Sequence, residues 1–205
     1  TALSIQAKDK RKPIRLNRPP GILTSNQTNY DAAQIKALSL MFEWPGHVRD
    51  TSAVLKQSQM NANQQKQFVE GRQLYLTTCA GCHGSDGKGL NRFGPPLTGS
   101  DWVLGDEKRL ALILLHGMEG PVQVNGKLYD EPDILPVMPS HSTLDDASIS
   151  SILTYIRNEW GNAGGPVSRR VVGMTRVTSQ GRVVPWTAAE LDKHIEETKF
   201  SQPNN

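Results

Sequence analysis

Two cysteines and a histidine, in Cys79-Ala80-Gly81-Cys82-His83, stand at the spacing at which one short stretch of chain can hold a haem by three bonds. The two thiols can add to the two vinyl groups of the porphyrin, and the imidazole that follows at once is carried under the iron as an axial ligand. Two other chemistries use paired cysteines. A dithiol redox site follows a strand in an alternating strand and helix pattern, which this chain does not show. A zinc site needs four ligands, and with only 2 cysteines in the chain two histidines would have to complete it. No second cluster stands at ligand spacing, and a chance pair of small apolar cysteines leaves His83 unexplained. One covalent c-type haem is the expectation, attached through Cys79 and Cys82 with His83 on the iron.

A second axial ligand would have to come from elsewhere in the chain. Met138 lies in Leu135-Pro136-Val137-Met138-Pro139, a stiff segment with no room for a helix. A thioether on the iron favours the ferrous state and raises the potential, which suits electron transfer. Met118 is the competitor, with His116 and His141 behind it. His47, Met60, Met174 and His194 lie in segments less suited to supply a ligand.

These groups need helices to place them. Residues 64–77 read as a helix opened by Asn61 or Asn63, with Phe68, Gly71, Leu74 and Tyr75 on one face. A glycine inside a helix costs about 1 kcal/mol, so Gly71 needs a reason, and close approach of another helix supplies one. The candidate begins at the capping sequence Thr143-Leu144-Asp145-Asp146 and carries Ile149, Ile152, Ile156 and Trp160 before Gly161 stops it. The two helices are expected to cross at Gly71. A middle helix should run from the capping Asp106 to Leu115. Residues 122–129 alternate about Asn125-Gly126, the signature of a two-residue hairpin. Residues 161–187 read as an extended wrap, and Thr187-Ala188-Ala189-Glu190 opens a final helix over 188–198.

The segment 1–60 reads as a basic extended arm plus one amphipathic helix over 31–42, a linker or the end of an upstream domain. The arm has no aromatic residue to stack on a base within its basic stretch, so no nucleic-acid partner is expected. Hydrophobic residues make up 37% of the chain, and its longest aliphatic run, Leu110 to Leu115, is too short to span a bilayer. Thr1-Ala2-Leu3-Ser4 does not look like a leader. Because haem is attached covalently outside the bacterial cytoplasm, a removed signal or a longer exported parent is expected, with a periplasmic or otherwise exported location.

Joined together, the Cys79 to His83 motif, Gly94-Pro95-Pro96-Leu97, Met138-Pro139 and Tyr155-Ile156 resemble the class I cytochrome c family over residues 64–160. The resemblance implies an all-α class I core, with the small hairpin and the extended N- and C-terminal segments as additions. It also implies that the Pro95 carbonyl holds the second nitrogen of His83, that Leu97 presses on the haem face, and that Met138 is the sixth ligand. Trp102, Arg92 and Tyr129 are candidates for the propionate side, where a burying carboxylate needs donors. The stretches Trp102 to Gly105, His116 to Pro121 and Val124 to Tyr129 look like cytochrome modules fused to larger exported dehydrogenase-like proteins of planctomycete and Bacteroidetes type. That implies an electron-transfer domain, not an enzyme, serving a fused dehydrogenase or other redox protein and a respiratory acceptor. A haem peroxidase or a gas sensor would need an open or displaceable sixth position, and the stiff Met138-Pro139 loop speaks against both.

Overall fold

The chain divides into two units, 1–59 and 60–205; the computed structural model describes residues 14–21 and 42–46 of the first and 60–200 of the second. In the first unit, β1 (Ile14–Arg15) pairs in parallel with β2 (Phe42–Glu43), Ile14 facing Phe42 and Arg15 facing Glu43. The ladder adds a 2.7 Å bond from Leu16 N–H to the Glu43 carbonyl and an exposed Arg15 to Glu43 ion pair at 3.3 Å. This part of the basic arm is extended chain, paired as a short strand. The helix expected over 31–42 lies outside the described residues except for Phe42, which is in β2.

In the second unit, Asn61 opens α1 (Ala62–Thr78) with a reciprocal cap: its side chain accepts from Gln64 N–H at 3.0 Å, and Gln64 Oε1 accepts from Asn61 N–H at 2.9 Å. Phe68, Gly71 and Tyr75 are its buried face. The one-turn α2 (Ala80–His83) continues it. Ser100 caps α3 (Asp101–Leu104), and Asp106 caps α4 (Glu107–His116), as expected, by accepting from Lys108 N–H at 2.8 Å. Six consecutive residues of α4, Leu110 to Leu115, are buried, which makes it a helix apolar all round. Leu110, Ala111, Leu114 and Leu115 join one hydrophobic cluster, and Leu112 and Ile113 join a second.

Gly117 ends α4 at φ +83°. The strand β3 (Met118–Glu119) follows, then the hairpin of β4 (Val122–Val124) and β5 (Lys127–Tyr129), turned by Asn125 and Gly126 at φ +50° and +79° as a two-residue turn of this hand requires. The strand β6 (Val137–Met138) comes back antiparallel to β3, with Met118 opposite Met138.

Helix α5 (Asp146–Ile156) is buried from Ile149 through Ile156 and crosses α1 at Gly71. A Cβ at position 71 would overlap the Ser151 carbonyl and approach Tyr155 Cβ to 2.9 Å, so the backbones meet where only glycine fits. Its cap is Asp145, accepting from Ser148 N–H at 2.7 Å, two residues beyond the expected Thr143. It also stops early. Arg157 caps it, and Trp160, expected as its last core residue, sits in the following turn at φ +54° with its ring against Gly87.

The segment after 161 departs most from expectation. Where an extended wrap was expected, Ser168 caps a helix, α6 (Arg169–Thr178), that packs Val172 and Thr175 against α4 and α5. The β-branched Val171 and Val172 and the following Gly173 are poor helix formers, but a cap and a one-sided buried face override so weak a preference. The expected Thr187 and Glu190 box opens α7 (Ala188–Phe200), both of its bonds at 3.3 Å, and Leu191 and Ile195 are buried in the second cluster.

Candidate haem-binding site

The site is built where α1 runs into α2. Cys79 is both the last cap of α1 and the first of α2: its N–H donates to the Tyr75 carbonyl at 2.8 Å, and its carbonyl accepts from His83 N–H at 3.0 Å. One helical turn thus puts Cys79, Cys82 and His83 at i, i+3 and i+4, on one face. Tyr75 Oη locks the far end of the turn by donating to the Gly84 carbonyl at 2.6 Å. Both thiols are free and half-buried. Burial, with a smaller contribution from Cys82, pushes the Cys79 thiol up to about 12.

His83 is buried, and its orientation is set by one bond. Nδ1 donates to the Pro95 carbonyl oxygen at 2.9 Å, since a carbonyl can only accept. This fixes the tautomer and leaves the Nε2 lone pair available; Nε2 has no hydrogen-bond partner among the described residues. Burial holds the imidazole below its ordinary pKa, the Pro95 bond opposes that, and His141 adds to it, so His141, three residues past Met138, lies within electrostatic reach of His83.

Gly94 lets the Pro95 segment come this close, since a Cβ there would stand 3.1 Å from both the Cys82 carbonyl oxygen and His83 Cε1. Leu97 packs half-buried on the first cluster, together with Cys79 and Ala80. Its N–H donates to the Gly87 carbonyl at 2.7 Å, and its carbonyl accepts from Asn162 Nδ2 at 3.1 Å. Asn162 also takes Gly99 N–H at 2.7 Å, so a side chain from beyond α5 pins the Leu97 loop. Sequence reasoning missed Asn162, whose only signal is its place just after Gly161, the glycine expected to stop the helix.

Met138 is half-buried and packs on both hydrophobic clusters, which places it between the Cys79, Leu97 side and the β3 side. Met118, directly across the ladder, packs on the second cluster. After Met138 the chain is tied to the end of α4: Ser140 Oγ donates to the Leu115 carbonyl and His141 N–H to the Leu114 carbonyl, both at 2.7 Å. Gly117 backs the strand so closely that a Cβ would stand 2.5 Å from the Met138 carbonyl oxygen. Met60 belongs to the first cluster, buried as a packing residue.

The expected propionate donors have partners of their own or lie at the surface. Trp102 gives its indole N–H to the Gln123 carbonyl at 2.7 Å and stacks under the Arg109 guanidinium, so its donor holds the hairpin to α3. Arg92 is exposed, and Tyr129 is half-covered by Lys127, 4.7 Å from its ring.

The donor set therefore fits a c-type haem: two thiols and an imidazole on one turn, and the imidazole tautomer fixed. Among the described residues no helix is long and apolar enough to cross a membrane. The cytochrome c family model matches residues 68–160. A cytochrome c-552 of Thermus thermophilus is 32% identical over 129 residues, which is 61% of this chain and 83% of that protein. The cytochrome c subunit of a quinone-type alcohol dehydrogenase from Gluconobacter oxydans is 32% identical over 110 residues, 53% of this chain and 22% of the subunit. The fructose dehydrogenase cytochrome subunit of Gluconobacter japonicus is 31% identical over 149 residues, 70% of this chain and 29% of the subunit. A match that runs through most of a relative's length, with the Cys79 to His83 turn inside the residues that the family model covers, leaves one conclusion: the chain belongs to the cytochrome c family, whose members carry haem c and transfer electrons.

Proposed function

We propose that this chain is a single-haem electron carrier with His83 and Met138 on the two axial positions of the iron, passing electrons from a dehydrogenase to a respiratory acceptor. The observation that carries the reading is the 2.9 Å bond from His83 Nδ1 to Pro95, which commits one imidazole nitrogen and leaves the lone pair of the other for a metal. Bound haem iron supplies a one-electron couple. Cys79 and Cys82 hold the group by two thioether bonds. Pro95 fixes the ring of His83, Leu97 covers one face against water, and Met138 fills the remaining axial position so that no open site is left for oxygen or peroxide.

The dehydrogenase donor is supported by the dehydrogenase cytochrome subunits among the relatives, each of which this chain matches over less than a third of its length. A layout in which 61–160 is the cytochrome domain, 1–60 a basic arm plus one helix that is a linker or the end of an upstream domain, and 161–205 a C-terminal segment ending in a short helix suits a module of a larger exported protein of planctomycete or Bacteroidetes type, working in the periplasm. The holoprotein tests this. Denatured mass should show one haem retained per chain, lost when Cys79 and Cys82 are both replaced by Ala, and a potentiometric titration should show one single-electron step. Turnover of hydrogen peroxide at enzymatic rates, or a haem that washes out on denaturation, would contradict the carrier.

A further inference from the structure

The family match ends at residue 160, yet the strand that faces Met138 is completed by residue 186. β3 is the middle of three: β6 with Met138 lies on one side, and on the other Trp186 bridges Met118 in the parallel sense. Trp186 N–H donates to the Gly117 carbonyl at 3.1 Å, and Glu119 N–H donates to the Trp186 carbonyl at 2.8 Å. A pair of two-residue strands is marginal by itself, so a second partner on β3 matters to the whole ladder.

That second partner is firmly anchored. Trp186 is buried, with the Arg182 guanidinium 3.5 Å from its ring centroid and His194 at 5.0 Å. Arg182 is itself held by the Pro185 carbonyl at 2.6 Å and by Glu190 at 2.9 Å. His116, at the end of α4, donates from Nδ1 to the Arg182 carbonyl at 3.1 Å and meets Ser179 Oγ through Nε2 at 2.7 Å. Immediately after Trp186, α7 starts and seats Leu191 and Ile195 in the second cluster. Every one of these contacts fixes the outer edge of the strand pair whose inner edge is Met138.

We infer that Trp186 is a positioning residue for Met138: the strap of residues 179–195 braces β3 from outside and keeps small the fraction of molecules in which Met138 has left the iron. The inference rests on the reading of Met138 as axial ligand. Trp186 acts through two short ladders and has no contact with the reacting centre of its own.

Competition by imidazole for the ferric holoprotein measures that fraction, because an outside ligand binds only where Met138 is off, and its apparent affinity scales with the open population. Trp186→Ala should raise the apparent imidazole affinity about tenfold while the helical circular dichroism is kept, and Trp186→Phe should stay within about twofold of wild type. Should Trp186→Ala fail to fold, Arg182→Ala, which strips only the outer cover of the indole, should give the same direction at about threefold. Val172→Ala, a buried change in α6 away from the ladder, should lower overall stability and leave the imidazole affinity alone. Trp186→Ala and Arg182→Ala proteins that bind imidazole like wild type would overturn the strap, as would a Val172→Ala protein that binds as tightly as Trp186→Ala. A Met138→Ala protein that binds imidazole no more tightly than wild type would overturn the ligand reading and the strap with it.

Discussion

The two sides of the site are held by different physics. On the His83 side the reacting groups are local: one helical turn carries both thiols and the imidazole, and the acceptor for His83 Nδ1 lies only twelve residues on, with Ser151 and Asn162 securing the helix and the Leu97 loop from farther along the chain. On the Met138 side the thioether proposed as the second ligand sits on a two-residue strand whose position depends on β3, on the end of α4 and on a segment that arrives from residue 186. Short loops cost little entropy to close, and helices form with their own bonds, so the first side can assemble early and stay put. The second side relies on long-range pairing and is the natural place for a ligand to come and go.

The contrast can be broken from the His83 side by unseating its helix. Gly71→Leu should cost about 3 kcal/mol, because overpacking at a backbone contact with Ser151 leaves nothing soft to yield. Chemical denaturation reads the loss, and an unchanged midpoint would remove the crossing from the account. A change confined to the other side should uncouple the two. Gly117→Ala places a Cβ 2.5 Å from the Met138 carbonyl at φ +83°, a backbone conformation that costs a side chain about 2 kcal/mol. In the ferric holoprotein it should shift the spectral signature of methionine ligation at lower denaturant than the helical signal. The smallest effect is expected at Gly94. Gly94→Ala meets His83 Cε1 at 3.1 Å, a contact that a few tenths of an ångström relieve, so stability should fall by less than about 1 kcal/mol. The near-infrared methionine band should persist, with the change confined to the midpoint potential of the holoprotein.

The same contrast explains what could be read in the sequence. Cys79 to His83, the Asn61 and Asp106 caps, the Asn125-Gly126 turn and the demand of Gly71 for a close neighbour are signals of a few adjacent residues, and all appear in the structure. The capping box at Thr187 is another of this kind. What was missed depends on distant partners. Val171-Val172-Gly173 forms a helix because α4 and α5 supply a surface for Val172 and Thr175, which no local preference foretells. Trp160 leaves its helix because Gly87 offers a flat face for its ring. Trp102 is recognisable as a buried donor, but its acceptor is a carbonyl of the hairpin, set by how β4 packs against α3. The Asn162 and Trp186 contacts, which hold the Leu97 loop and the Met138 strand, lie in the same category.

The near-infrared charge-transfer band that methionine gives on ferric haem tests the central claim most directly. Wild-type ferric holoprotein should show the band, and Met138→Ala should lose it while keeping the covalent haem and the helical signal. A wild-type protein without the band, or a Met138→Ala protein that retains it, would contradict a His83 and Met138 site.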